Sequence, residues 1–196
     1  MRKRQIKVAG DIILGMVERT HFAYLRSIIL LLVILMSSVS AYAYVVGEYF
    51  VKDHITYRVI DASTASPKLA VYNVKGISGT VTIPATVFDG KDVNFKVTQI
   101  GGGDDNSPMN WDATVTGVIL PNTITTLSNY CFAFSSITSL TLPASVTTVT
   151  SWTNVLFGRC HKLKEILVDA HNSSFISDNG VLYTKGHKEL VCVPVN

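Results

Sequence analysis

Three stretches of the chain place apolar residues in one frame. Val115, Val118 and Leu120 recur as Ile137, Leu140 and Leu142, and again as Leu163, Ile166 and Val168, at spacings of 22 and 26 residues. Each unit reads apolar-x-x-apolar-x-apolar. Its last three positions alternate, which places two side chains on one face of a strand and one on the other. Pro121 and Pro143 then stop the strand, because proline cannot donate to a ladder. A second short apolar segment follows, Ile124 with Leu127 and Val146 with Val149. An aromatic comes next, Phe132 or Phe134 in one unit and Phe157 in the other. A unit this small cannot bury its own apolar face. Stacked units join those faces into one core, so self-similarity at this period predicts a mainly β solenoid.

An earlier copy is looser. Val81 and Ile83 match the strand before Pro84, and VTQI (97–100) matches the second segment after the insertion VFDGKDVNFK. GGGDDNSPMNWD (101–112) then breaks the rhythm with turn-forming residues. Residues 44–80 lack the period, yet EYFVKDHITYRVID and KLAVYNVKG read as short strands. An atypical first segment is expected of the cap of a solenoid. The predicted organisation is therefore a leader over 1–43, an N-terminal β cap over 44–80, and repeats over 81–196 with the last one partial.

The leader differs in kind from the rest. Arg2, Lys3, Arg4, Lys7, Arg19 and Arg26 face only Asp11 and Glu18 there, and SIILLLVILMSSVS followed by AYA ends the segment. A basic lead, an apolar run and an A-x-A site describe a secretory signal peptide. An uncleaved anchor over the same stretch is the alternative, and Met16 competes with Met1 as the start. Either route exports the remainder, and the membrane is met only through this segment.

Setting the leader aside changes the charge picture. The whole chain carries 17 Lys+Arg and 14 Asp+Glu; residues 44–196 keep 11 against 12, a net of −1. The basic balance belongs to the leader, and no nucleic-acid footprint remains.

Candidate chemistry is sparse. Cys131, Cys160 and Cys192 are an odd number, so an exported chain keeps at least one free thiol. The frame puts them in the core, with one disulfide as the alternative. Cys160-His161 with His171 lacks the paired spacing of a structural zinc site. Asp104, Asp105, Asn106 and Asp112 do not follow the spacing of an EF-hand loop, and GGG at Gly101 is not followed by a phosphate-binding pattern. No nucleophile elbow is present. The expectation is a protein that is not an enzyme and uses no cofactor or metal.

With the columns in place, the chain resembles the BspA-type leucine-rich repeats of bacterial surface proteins. LTLPASVTTV (140–149) matches the strand of that family's unit, and LFGRCHKLKEI (156–166) its turn, with Phe157, Cys160 and Leu163 at the motif positions. NSSFISDNGVLYTKGHKELVCVP (172–194) is similar to the family's partial repeat. Two departures stand out: SNYCFAFSSI is one residue short before Ile137 and has Ser for the motif Cys, and residues 150–156 carry extra length. The resemblance implies a short, right-handed leucine-rich-repeat solenoid at the cell surface or outside the cell. It implies an adhesin-like interaction module that binds a host matrix protein, another cell surface or a polysaccharide. A structural spacer in an envelope assembly is the alternative, with a carbohydrate-processing accessory or enzyme behind it. The odd thiol and the last turn both permit self-association.

The surface feature that invites a partner is threonine. Thr125 and Thr126 stack under Thr147 and Thr148, Thr116 under Thr138, and Thr141 lies in the same strand segment. Threonine also suits any exposed strand, since its branched side chain fits a pleated surface. The functional reading is a flat, weakly polar face for a protein or glycan.

Overall fold

A computed structural model describes residues 44–102, 110–111, 114–150 and 156–194. The leader, the acidic loop of Asp104, Asp105, Asn106 and Asp112, and residues 151–155 of the insertion lie outside them. The described residues belong to one compact unit, Tyr44–Asn196. Their regular structure is all strand.

The chain enters through an antiparallel meander, β1 (Tyr49–Lys52), β2 (Ile55–Asp61) and β3 (Lys68–Val74). Asp53 and His54, the two residues between β1 and β2, both have positive φ, 50° and 66°. That is the backbone twist a two-residue hairpin requires. β4 (Gly79–Thr82), β5 (Thr86–Phe88), β6 (Asn94–Ile100) and β7 (Asn110–Trp111) follow.

Two successive repeats then supply one strand to each of two parallel ladders, and the third supplies a strand to one of them. β8 (Val115–Ile119), β10 (Ser139–Leu142) and β12 (Glu165–Val168) join β4 in a four-stranded sheet of order β12-β10-β8-β4. β9 (Thr126–Leu127) and β11 (Thr148–Val149) extend the meander sheet in the order β1-β2-β3-β6-β9-β11. The registers follow the apolar columns. Val118 pairs with Leu140, Leu140 with Ile166, Leu142 with Val168, and Leu127 with Val149. The loose first copy falls into line as well, with Val81 opposite Val118 and Ile100 opposite Leu127. Period alone does not reveal that β3 pairs in parallel with β6 and so carries the meander onto the repeat ladder.

Both sheets turn their apolar positions into one continuous core. Down it runs an aromatic stack: Trp111 on Phe132 at 5.6 Å and Phe132 on Phe157 at 5.2 Å, with interplanar angles of 23° and 12°. Trp111 Nε1 donates to the Cys131 carbonyl at 2.7 Å, which satisfies the one polar atom of a buried indole. Ser135 occupies the motif Cys position. Its Oγ lies 3.3 Å from Cys160 Sγ one unit on, and that thiol donates to the Phe132 carbonyl at 2.7 Å. Gly101 is a packing residue: φ is +76°, and a Cβ there would sit 2.9 Å from Cys131 Cβ.

A three-stranded antiparallel sheet, β13 (Phe175–Asp178), β14 (Val181–Thr184) and β15 (Leu190–Cys192), closes the described chain. Asn179 and Gly180 form its first turn with φ of 49° and 80°. Gly180 accepts from the Ile166 amide at 2.9 Å, and a Cβ on it would meet Glu165 Cβ at 3.0 Å. Only glycine allows this turn to approach β12 so closely.

Candidate interaction surface

The outer side of the four-stranded sheet is a regular two-row array. Thr80, Gly117, Ser139 and Glu165 make one row, each opposite the next. Thr82 faces Ile119 and Thr141 faces Leu167, and these four make the second row. The alternation that sends Val118, Leu140 and Ile166 inward sends these residues out. Ile119 is 55% exposed and Leu167 41%, so two aliphatic side chains flank the Thr141 hydroxyl on an otherwise small, polar plane. Gly117 carries no side chain where one would press on Thr80, since a Cβ there would lie 3.0 Å from Thr80 Oγ1. Thr80 and Thr82 also border an open groove of about 250 Å³ that runs toward Asp53, Ile55 and Tyr57 of the meander.

The seven threonines singled out from the sequence do not share one face. Thr116, Thr138 and Thr141 belong to the four-stranded sheet or its entry. Thr125, Thr126, Thr147 and Thr148 belong to the other ladder. Because the two sheets bury their inner sides in a common core, their outer sides point away from each other. The stacking itself is present: Thr126 pairs with Thr148, the Thr147 amide donates to the Thr125 carbonyl at 3.0 Å, and the Thr138 amide to Thr116 at 3.1 Å. Part of the hydroxyl capacity is spent inside the fold. Thr125 Oγ1 donates to the Thr98 carbonyl at 3.3 Å and Thr138 Oγ1 to the Thr116 carbonyl at 3.4 Å, each holding one coil to the one before. Thr147 and Thr148 border a second groove of about 190 Å³, shared with Ser174, Phe175, Thr184 and Val191. Ile119 and Leu167 were missed by composition, although the alternation marks both as outward positions held by apolar residues.

The thiols are core residues. Cys131, Cys160 and Cys192 are all free and buried. Burial pushes the Cys131 thiol well above its ordinary range, raises that of Cys160, and raises that of Cys192 to about 12. Thiols buried and held protonated in this way are poor nucleophiles near neutral pH. Cys160 is sequestered against Ser135 and Phe132, whereas His161 and His171 are exposed. Among the described residues no three His, Cys, Asp or Glu side chains form a group able to hold a metal ion.

Residues 111–184 match the model of the BspA type leucine-rich repeat region, in six copies. These residues belong to the BspA-type leucine-rich repeats. No curated protein matches the chain. Among solved structures, it is similar to the pneumococcal vaccine antigen PcpA, at 18% identity and a TM-score of 0.37, over 77% of this chain and 57% of that one. A leucine-rich cell surface protein from Faecalibacterium prausnitzii is similar at 14% identity and a TM-score of 0.36, over 75% of this chain and 62% of that one. A leucine-rich repeat protein from Eubacterium ventriosum gives 20% and 0.35, over 74% and 50%. The chain thus spans between 50% and 62% of the length of these structures. In terms of the BspA-type unit, β8, β10 and β12 are its strands. Phe132 and Phe157 are its buried aromatics, and Ser135 and Cys160 share its cysteine position.

Proposed function

We propose that this BspA-type repeat protein is an exported, non-catalytic interaction module that works at or beyond the cell surface. It binds a protein partner through the outer side of the four-stranded sheet. The observation that carries this reading is that Ile119 and Leu167 stand exposed on either side of Thr141 in an otherwise small or polar sheet face. A few apolar side chains in a polar surround suit a protein partner, since protein interfaces combine an apolar core with a polar rim. The export half of the proposal rests on the basic and apolar leader of residues 1–43.

The test is biolayer interferometry of the purified protein against a panel of extracellular matrix proteins and isolated cell envelopes, with a urea unfolding curve on the same material. Saturable binding to one protein supports the module. A cooperative unfolding transition without saturable binding would shift the reading to a structural spacer.

A further inference from the structure

We propose that the coil edge built from Phe134, Arg159, Lys162 and Lys164 docks a linear anionic polysaccharide, one that bears sulfates or uronates. The edge borders the outer sheet face but is made of different residues, and the proposal does not depend on the role of that face.

Positive charge is unevenly distributed. The sequence has no Lys or Arg between Lys96 and Arg159, and then places Arg159, Lys162 and Lys164 within six residues, in a unit whose net charge is −1. The fold exposes all three cations of that run around two buried residues. Cys160 and Leu163 are fully buried and pin the run on its inner side, while Arg159, Lys162 and Lys164 are exposed. None of the three makes an ion pair among the described residues. Of the acids that follow in sequence, Glu165, Asp169 and Asp178, none forms an ion pair with these cations among the described residues. Asp178 lies 3.3 Å from His187, Asp169 lies 3.2 Å from His171, and Glu165 projects from the outer sheet face.

The neighbouring residues favour a glycan over an acidic polypeptide. Arg159 sits over the Phe134 ring at 5.5 Å, yet the phenylalanine remains 55% exposed. Both residues hold positive φ, 61° and 59°, and the Phe134 amide donates to Gly158 at 2.8 Å, so the turn geometry fixes ring and guanidinium together. An exposed ring offers its face to the C–H side of a pyranose. One and two coils away, Thr138 and Thr116 stand in the column that ends at Lys164, whose amide donates to the Thr138 carbonyl at 2.9 Å. Cations followed by hydroxyls along one column match a partner whose charges alternate with hydroxyl groups along an extended chain.

The experiment measures binding of the full chain to heparin, to uncharged dextran and to polyglutamate at low and moderate salt. Heparin is expected to bind saturably and to weaken as salt rises, because exposed charges are screened. R159Q/K162Q/K164Q is expected to weaken heparin binding at least about ten-fold, whereas the control K185Q/K188Q changes it by less than about two-fold. If the triple variant fails to unfold cooperatively, K162Q and K164Q are measured singly, each with an expected loss of about two-fold or more. Absent heparin binding would overturn the proposal. So would equal losses in the triple and control variants, or polyglutamate binding as tightly as heparin.

Discussion

The side-chain amide of Asn172 donates to the carbonyl oxygen of Pro143 at 2.9 Å, and so fastens the C-terminal hairpin to the turn that ends β10. The same nitrogen donates to Val146 at 3.0 Å, and Oδ1 accepts from the amides of Ser174 and Phe175 at 2.8 and 2.7 Å. A side chain 1% exposed thus satisfies four backbone groups at the junction of two units.

Asn172→Ala strands those groups in a buried position. A single unsatisfied group costs about 1–3 kcal/mol, so the loss is expected at roughly 2–4 kcal/mol once local relaxation is allowed. Asn172→Asp keeps the acceptor but removes both donations, and is expected to destabilise comparably. Urea unfolding midpoints of the two variants check this, and a change below about 0.5 kcal/mol would contradict the junction role.

Phe157 closes the aromatic stack and is 3% exposed. Phe157→Ala is expected to cost about 3–5 kcal/mol, as for any fully buried ring. A loss below about 1 kcal/mol in a denaturant titration would contradict the register that places Phe157 on Phe132.

These two residues mark what the sequence discloses. Phe157 is legible because every coil must meet the same neighbours, and a repeated requirement leaves a repeated letter. The columns 118–140–166 and 127–149 are legible for the same reason. Asn172 occurs once, at the start of the last, partial repeat where the chain turns into antiparallel strands, so no period announces it. The parallel pairing of β3 with β6 is likewise silent, because it joins an aperiodic segment to a periodic one. For the candidate surface, periodicity discloses that Thr125 stacks under Thr147, but not that Thr125 and Thr141 look out from opposite sheets. That division follows from which side of each ladder meets the shared core.

The three thiols give a prediction about reactivity. Because burial keeps them protonated, the native protein is expected to react negligibly with a thiol reagent near neutral pH, and to expose all three cysteines in denaturant. Fast labelling of Cys160 in the native state would contradict its placement behind Ser135.

Stability is expected to fall at both ends of the pH scale. The Tyr44 hydroxyl donates to Asp89 at 2.9 Å; burial, then that bond and the Asp89 charge, push its pKa up to about 12. An unfolded tyrosine ionises near pH 10. The contact therefore contributes fully below about pH 10 and is lost as pH rises through 12. Burial raises the Tyr57 hydroxyl too, so Tyr44→Phe is expected to remove only part of the alkaline decline. Asp61, hydrogen-bonded to Lys68, is lowered from 3.8 to about 2, so its contribution is full above the unfolded value and lost as pH falls through 2. Urea midpoints measured across pH 10–12 check the alkaline arm; a flat profile there for the unsubstituted protein would contradict it.

If the outer side of the four-stranded sheet is the binding face, cations placed there disrupt binding and cations placed on the other sheet do not. Ile119→Lys/Leu167→Lys places two cations on that face, and Thr126→Lys/Thr148→Lys places two on the opposite sheet. Affinity of each variant for the partner found by biolayer interferometry, with cooperative unfolding verified for both, is the measurement. Binding is expected to fall at least about a hundred-fold for the first variant, by the loss of two apolar anchors, and to stay within about three-fold for the second. Equal losses, or a loss confined to the Thr126/Thr148 variant, would contradict binding through the outer side of the four-stranded sheet.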